Sequence, residues 1–180
     1  MTIKLASLGV LLALGMLSGC AKDHSLSADV SDGVRKSLDQ SGFKYVTVSQ
    51  DRAKGVVTLG GHVDSEADKA KAEALTKPIA PGQVIAVEIA VIPLGSEKEA
   101  RTINSDLDTG IEKNLDAALL QSKLHDQVKF AVKNAVVTLT GKVERTAMRD
   151  LAEQVTLGVP FVKQVVNTID VRDQKATTAK

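Results

Sequence analysis

The stretch GVVTLGGHV, Gly55–Val63, recurs eighty residues later as AVVTLTGKV, Ala135–Val143. In both stretches valine and leucine alternate with polar or small residues, which is the pattern of a strand with one buried face. The match continues without a gap, from about Val56–Val91 onto Val136–Val171. The chain therefore contains two copies of one folding unit, and this repeat decides the fold.

Each copy shows the same order of predicted elements around that strand. A first helix is predicted at Ser31–Gln40 and Asp108–Leu120, and a first strand at Phe43–Gln50 and Gln127–Val132. The quoted strand, a longer helix and a last strand follow. The order is α-β-β-α-β, and the two helices must cover the apolar face of the sheet. We therefore predict an α+β fold with two such units in tandem, each a three-stranded mixed sheet covered by two helices.

The longer helix of each copy begins after the quoted strand. Ser65 and Asp68 have the spacing of a capping box. We interpret Gly61 and Gly141 as structural, because glycine at the end of a strand core permits a bulge or a positive φ. In the second copy a helical period predicts the residues that face the sheet. These are Ala147, Leu151 and Val155.

Residues 94–104 connect the copies and allow two interpretations. Ser96 followed by Glu99 is a further capping-box pattern, which would extend the first helix of the second copy back to about Glu97. Apolar residues spaced by four support this extension: Ile103, Leu107, Ile111, Leu115 and Leu119. The alternative is a flexible linker followed by a shorter helix, since Gly110 interrupts the run.

The N-terminus carries a separate signal. After a positively charged start, residues 5–17 are apolar, and Leu17–Cys20 closes the run with the letters LSGC. This run is short for a transmembrane helix, which needs about 20 residues. The segment resembles the signal peptide (residues 1–19) and lipobox of a bacterial lipoprotein, with Cys20 acylated and residues 20–27 forming a tether. A single membrane-spanning anchor is the alternative.

The repeat behind a lipobox resembles a tandem BON (bacterial osmotic-stress and nodulation) domain lipoprotein. The second copy carries the family pattern as VVTLTGKV and as GVPFVKQVVNTIDV, residues 158–171. The first copy departs from this pattern, with Val87 where the second copy has Asn167. The resemblance implies domains at 28–93 and 105–172, followed by a flexible tail at 173–180.

The resemblance also implies a non-enzymatic protein that binds membranes. Acyl chains on Cys20 would anchor it, and Ala21 rather than aspartate after the cysteine resembles lipoproteins of the outer membrane that face the periplasm. BON domains are associated with phospholipid surfaces and with envelope integrity. On that basis anionic phospholipid would bind a basic group in the second copy: Lys142, Arg145, Met148 and Arg149, with Lys133 nearby. A solvated helix face balanced by Glu144 and Asp150 is the alternative.

Composition and motifs argue against other classes of function. Three Phe, one Tyr and no Trp are few aromatic rings for a protein that stacks bases. Removal of the signal peptide, with its one lysine, leaves equal numbers of basic and acidic residues, so no overall field attracts nucleic acid. No catalytic, metal-binding or cofactor motif surrounds the histidines. We therefore predict no enzymatic activity, no cofactor and no metal.

Two other functions compete with phospholipid binding. A scaffold for envelope proteins would use an exposed apolar face of the first copy that includes Ala86 and Ala90. A chaperone acting in the periplasm during osmotic stress is the second alternative implied by the family.

Overall fold

The computed structural model describes residues 26–172, so Cys20, the predicted signal peptide and the predicted tail lie outside the described residues. The first unit contains α1 (Ser31–Gln40), β1 (Val46–Asp51), β2 (Val56–Val63), α2 (Glu66–Thr76), β3 (Val84–Val87) and β4 (Ala90–Val91). The second contains α3 (Glu97–Gln121), β5 (Val128–Lys133), β6 (Val136–Val143), α4 (Thr146–Leu157), β7 (Gln164–Asn167) and β8 (Asp170–Val171). The predicted pair of α+β units is confirmed.

The strand predicted from the repeat is the centre of each sheet. β1 pairs antiparallel with β2, whereas β3 and its continuation β4 pair parallel with β2. The second sheet repeats this arrangement with β5, β6, β7 and β8. Equivalent pairs lie at the same register, as Leu59 with Val87 and Leu139 with Asn167 show. Both sheets are therefore mixed, as the sequence predicts, but each has four strands rather than three because the predicted last strand is divided into two short ones.

Each sheet buries one face under its two helices. The first core contains Val34, Leu38, Phe43, Val46, Val57, Leu59, Val63, Ala72, Ala80, Val87 and Ile89. The second contains Ile111, Leu115, Leu119, Leu124, Val128, Ala135, Val137, Leu139, Val143, Ala152, Val159 and Ile169. These two cores lie entirely within residues 26–172.

The face of α4 that packs on the sheet differs from the predicted one. Ala152 and Thr156 are buried and Met148 packs against the core, whereas Leu151 is 42% exposed. The hydroxyl of Thr156 donates to the carbonyl oxygen of Ala152 at 2.7 Å, so the helix buries it without an unpaired polar group. Of the three predicted residues, Ala147 and Leu151 are exposed, whereas Val155 packs against the core as predicted. The burial of Thr156 was not predicted because threonine does not count as apolar in a hydropathy pattern.

Helix starts follow the predicted caps in one case and differ in another. The hydroxyl oxygen of Ser65 accepts the backbone N–H of Asp68 at 3.1 Å, which confirms the cap of α2. Ser96 precedes α3 but its side chain makes no cap hydrogen bond, so the capping box predicted there is wrong. Instead the carboxylate of Glu97 accepts the N–H of Gly95 at 3.0 Å.

One element boundary differs from the predicted one, and another decides between two open interpretations. β1 begins at Val46 rather than at Phe43, because Phe43 is buried in the turn that follows α1. α3 is one helix from Glu97 to Gln121 that contains Gly110, which is the extended form of the two interpretations of residues 94–104.

The two sheets pack on each other through the faces opposite their helices. Val56, Ala86, Val136 and Val166 form a buried cluster between the units. Val136 and Val166 lie eighty residues after Val56 and Ala86, so equivalent residues meet as they do at a two-fold interface. Ala86 is only 1% exposed. The predicted exposed docking face that includes Ala86 is therefore wrong, because the second sheet covers it.

Polar contacts beside this cluster repeat the same symmetry. The side-chain amide of Asn134 donates to the carbonyl oxygen of Glu88 at 2.7 Å. The ammonium of Lys54 donates to the carbonyl oxygen of Thr168 at 3.3 Å, and these two residues are the equivalents of Asn134 and Glu88. The start of β2 therefore lies close to the end of β6. The two central strands run in opposite directions.

Candidate phospholipid-binding surface

Three of the predicted basic residues lie where β6 ends and α4 begins. Lys142 is in β6, and Arg145 immediately precedes α4 with an extended backbone of φ −141° and ψ 149°. Arg149 lies in the first turns of α4. Lys142 and Arg145 are exposed, and Arg149 is partly exposed. We call these three side chains the basic surface.

Neighbouring carboxylates compensate only part of this positive charge. Asp150 pairs with Arg149, with an O–N distance of 3.4 Å. Glu144 pairs with Arg172. Within residues 26–172, Lys142 and Arg145 make no side-chain hydrogen bond or ion pair. Asp150 therefore balances Arg149, whereas Glu144 pairs with Arg172 rather than with Lys142 or Arg145.

Arg172 is a basic residue that the sequence reasoning missed. β8 pairs parallel with β6, with Val171 opposite Val143, and the N–H of Arg172 donates to the carbonyl oxygen of Val143 at 2.8 Å. This pairing places Arg172 beside Glu144 at the same end of the sheet as Lys142. In both copies the last strand follows the second strand at the same spacing. This spacing was the signal that could have located Arg172.

The start of α4 adds to the positive potential of this region. Its first turn contains no acidic residue and its backbone N–H groups receive no side-chain cap. The equivalent start of α2 has Glu66 and Asp68 in its first turn and the Ser65 cap. Because a helix N-terminus carries a partial positive charge, the uncapped start of α4 favours an anion, whereas acidic groups already occupy that of α2.

The remaining two predicted residues lie elsewhere. Met148 is half-buried and packs against the core of the second unit. Lys133 precedes Val136 at the other end of β6, which places it about 20 Å from Lys142. There it pairs with Glu88 of the first unit at 3.4 Å. The grouping of Lys133 with the basic surface is therefore wrong.

A cleft lies at that opposite end, and its lining shows no grouping typical of a catalyst. Its volume is about 530 Å³, and its lining includes His62 and Asp108. Asp108 accepts the backbone N–H groups of Asn134 and Ala135, both at 2.8 Å, so it holds the β5–β6 turn. His62 stacks on Tyr45 with 5.0 Å between ring centres. In the described residues no three His, Cys, Asp or Glu side chains are grouped as metal ligands.

Comparison with known proteins identifies the repeated unit. The BON domain matches residues 22–93 and 107–173, which is most of the chain. The chain belongs to the BON domain family. Each BON domain therefore corresponds to one of the two α-β-β-α-β units, and the resemblance seen in the sequence is confirmed.

Other comparisons give more distant similarities. Osmotically-inducible protein Y of Escherichia coli (strain K12) is 27% identical over 149 residues, which cover 82% of this chain and 71% of that protein. CdsD, a structural protein of the Type III secretion system of Chlamydia trachomatis, covers 82% of this chain and 94% of its own at 15% identity, with a TM-score of 0.37. The C-terminal domain of CdsD gives 16% identity, coverage of 82% and 99%, and a TM-score of 0.36.

The predicted membrane anchor lies outside the described residues. Across residues 26–172, no helix combines the length and the apolar character needed to cross a bilayer. Cys20, the predicted lipidation site, precedes that range.

Proposed function

We propose that this tandem BON protein is an outer-membrane lipoprotein, anchored by acyl chains at Cys20 and facing the periplasm. In this proposal the basic surface of the second BON domain binds anionic phospholipid and supports the integrity of the envelope. The supporting observation is the exposed pair Lys142 and Arg145 beside the uncapped start of α4. Phosphate oxygens accept hydrogen bonds from helix N-terminal N–H groups and are attracted by both cations.

The strength of such a contact is modest without an anchor. Each Lys or Arg near an anionic leaflet contributes about 1 kcal/mol, so the three cations of the basic surface contribute about 3 kcal/mol. That corresponds to an affinity of millimolar order or weaker. Two or three acyl chains hold a protein firmly on a bilayer, and the high local concentration of lipid then keeps a weak contact occupied. The proposed anchor and the proposed surface therefore depend on each other.

We also propose a role for this chain in osmotic stress. The similarity to a protein named for osmotic induction favours this role for the chain. Outer-membrane sorting is supported by Ala21, since the residue after the lipidated cysteine is not aspartate.

Flotation with phosphatidylglycerol vesicles tests the phospholipid surface directly. The chain from Ala21 onward contains both cores, so it is used without the acyl anchor. We expect it to float with these vesicles at low salt, less at physiological salt, and not with phosphatidylcholine vesicles. The double variant Arg145→Glu, Arg149→Glu is expected to abolish flotation.

A double variant with the same change of charge serves as the control. Lys44→Glu and Lys98→Glu alter two exposed lysines away from the basic surface and are expected to leave flotation intact. No binding by the unaltered chain, or equal losses in the two double variants, would rule out the proposed surface.

Metabolic labelling tests the anchor independently. Radiolabelled palmitate is expected to enter the protein in cells, and Cys20→Ala is expected to prevent it and to release the protein from the membrane fraction. Unlabelled protein in the soluble fraction of wild-type cells would contradict the anchor.

A further inference from the structure

The first BON domain contributes basic residues to the end of the molecule that carries the basic surface. The ammonium of Lys54, in the turn between β1 and β2, lies 2.6 Å from a carboxylate oxygen of Asp170. Asp170 is the strand partner of Lys142 in the second sheet. The turn that contains Arg52 and Lys54 is therefore next to Lys142, although Lys54 and Lys142 are far apart in sequence.

The described chain also begins at this turn. The N–H of Ser27 donates to the carbonyl oxygen of Arg52 at 2.9 Å, and the guanidinium Nε of Arg52 donates to the carbonyl oxygen of Ser27 at 2.8 Å. Cys20 precedes Ser27 by seven residues, a segment that spans about 25 Å at most. An acyl anchor on Cys20 must therefore lie within that distance of Arg52 and Lys54.

The opposite end of the molecule has a different charge. The equivalents of Lys142 and Arg145 in the first domain are His62 and Ser65, and the start of α2 beside them carries Glu66 and Asp68. β2 has eight residues, so this end is separated from the Lys54 turn by about 25 Å. The opposite end carries cations as well, among them Lys71, Arg101 and Lys133. Carboxylates lie beside them, including Asp64, Glu88 and Glu97, so the end near the anchor is the more basic one.

We propose that Arg52 and Lys54 extend the basic surface across the domain boundary into one membrane-facing end. This basic end consists of Arg52, Lys54, Lys142, Arg145 and Arg149, and its partner is a layer of anionic phospholipid head groups. The inference rests on the proposed function and adds the orientation of the molecule on the membrane. Lys54 contributes one positive charge, which offsets the carboxylate of Asp170 next to Lys142.

Two matched lysine variants test this orientation. Lys54→Met and Lys133→Met remove the same charge and each breaks an ion pair between the domains, but at opposite ends. In the chain from Ala21 onward, Lys54→Met is expected to weaken binding to phosphatidylglycerol vesicles about five-fold or more, since each charge contributes about 1 kcal/mol at the surface. Lys133→Met and Lys54→Arg are expected to bind as the unaltered chain does.

The outcomes separate this inference from the proposed function. Equal effects of Lys54→Met and Lys133→Met would overturn the membrane-facing end. The membrane-facing end would also be overturned if Lys54→Met binds as the unaltered chain does while the double variant Arg145→Glu, Arg149→Glu does not bind. The proposed function would stand in that case. If the unaltered chain does not bind phosphatidylglycerol, both are overturned.

A second measurement reports orientation without changing a charge. Ala53→Cys and Leu94→Cys, each in the chain from Ala21 onward, place a single thiol at exposed positions on opposite ends, since Cys20 is the one cysteine of the sequence. A fluorophore attached at position 53 is expected to be quenched by nitroxide-labelled head groups in phosphatidylglycerol vesicles, and one attached at position 94 is expected to remain bright. Equal quenching, or stronger quenching at position 94, would overturn the orientation.

Discussion

The side-chain amide of Gln164 accepts the backbone N–H of Val87 at 2.9 Å and so joins the second BON domain to the first. The same amide donates to the carbonyl oxygen of Ile85 at 2.7 Å. β3 is the last strand on its side of the first sheet, and its outward backbone groups need partners where the second domain covers them. Gln164 thus serves in place of a neighbouring strand. The equivalent residue of the first domain is Val84, which cannot return the contact.

Replacement of Gln164 by alanine is expected to lower the free energy of unfolding by about 1–3 kcal/mol, because two partly buried backbone groups lose their partner. Urea unfolding followed by circular dichroism measures the change. Gln154→Ala, on the exposed side of α4, is the matched control and should change stability by less than about 0.5 kcal/mol. Equal effects of the two variants would show that the bonds from Gln164 contribute nothing.

Alanine at Gly61 or Gly141 is expected to destabilise the fold severely. A Cβ at Gly61 would lie 1.9 Å from the carbonyl oxygen of Tyr45, and one at Gly141 would lie 2.1 Å from that of Gln127. Gly42→Ala separates backbone strain from this clash, since Gly42 also has a positive φ but has no atom within 4 Å of its Cβ position. Thermal unfolding should show a loss of about 1 kcal/mol for Gly42→Ala and a clearly larger loss for the other two. Similar losses in all three would contradict the clash.

Gly110→Ala is expected to stabilise the protein. Gly110 lies inside α3, and a Cβ there would meet nothing within 4 Å. Alanine loses less backbone entropy than glycine in a helix, so the gain should be about 0.5–1 kcal/mol. A rise in the urea midpoint measures the gain, and an unchanged or lower midpoint would argue that the helix around Gly110 is not formed in solution.

A charge at Ala86 is expected to separate the unfolding of the two domains. Ala86→Asp would place a carboxylate in the buried apolar cluster with Val56, Val136 and Val166, where loss of its hydration is costly. Calorimetry should then show two transitions in place of one. Ala53→Asp, at an exposed turn, is the control and should leave a single transition. A single unshifted transition for Ala86→Asp would contradict the packing of the sheets.

The loss of stability between neutral and acid pH is expected to come in part from Glu97. The backbone N–H of Gly95 and the backbone N–H of Glu97 itself both donate to this carboxylate. These two hydrogen bonds hold the pKa of Glu97 below its usual value. A carboxylate with a lowered pKa in the folded state stabilises the protein above its unfolded-state pKa, and this contribution is lost as the pH falls through the folded-state pKa. Glu97→Gln should therefore unfold more easily than the wild type at neutral pH, with the difference shrinking in acid. A difference that is constant with pH would contradict this role.

Sequence reasoning was most successful where the evidence was local. The repeat predicted both units, the cap at Ser65 was read from a four-residue spacing, and the glycines at 61 and 141 were assigned to the backbone. It was less successful on the faces of helices. The orientation of α4 depended on the hydrogen bond from Thr156 to Ala152, which allows a polar residue to be buried and turns Met148 toward the core.

The contacts between the two domains were the part of the structure that the sequence predicted least. Ala86 and Val166 occupy the side of each sheet that a single domain would leave in water, so alternation alone predicts them as exposed. Lys133 and Lys54 precede equivalent strands, yet they lie at opposite ends because the two sheets meet with their central strands reversed. No spacing within either copy contains this information.

The amino-acid sequence by itself determined that the chain has two copies of an α-β-β-α-β unit and which strand is central in each, because side-chain periodicity and turns are properties of neighbouring residues. Only the tertiary structure decided that Ala86 is buried and that Lys54 joins Lys142 at one end. Those outcomes depend on how the two sheet faces fit together, and that fit is set by contacts between residues that lie from about 45 to more than 110 positions apart.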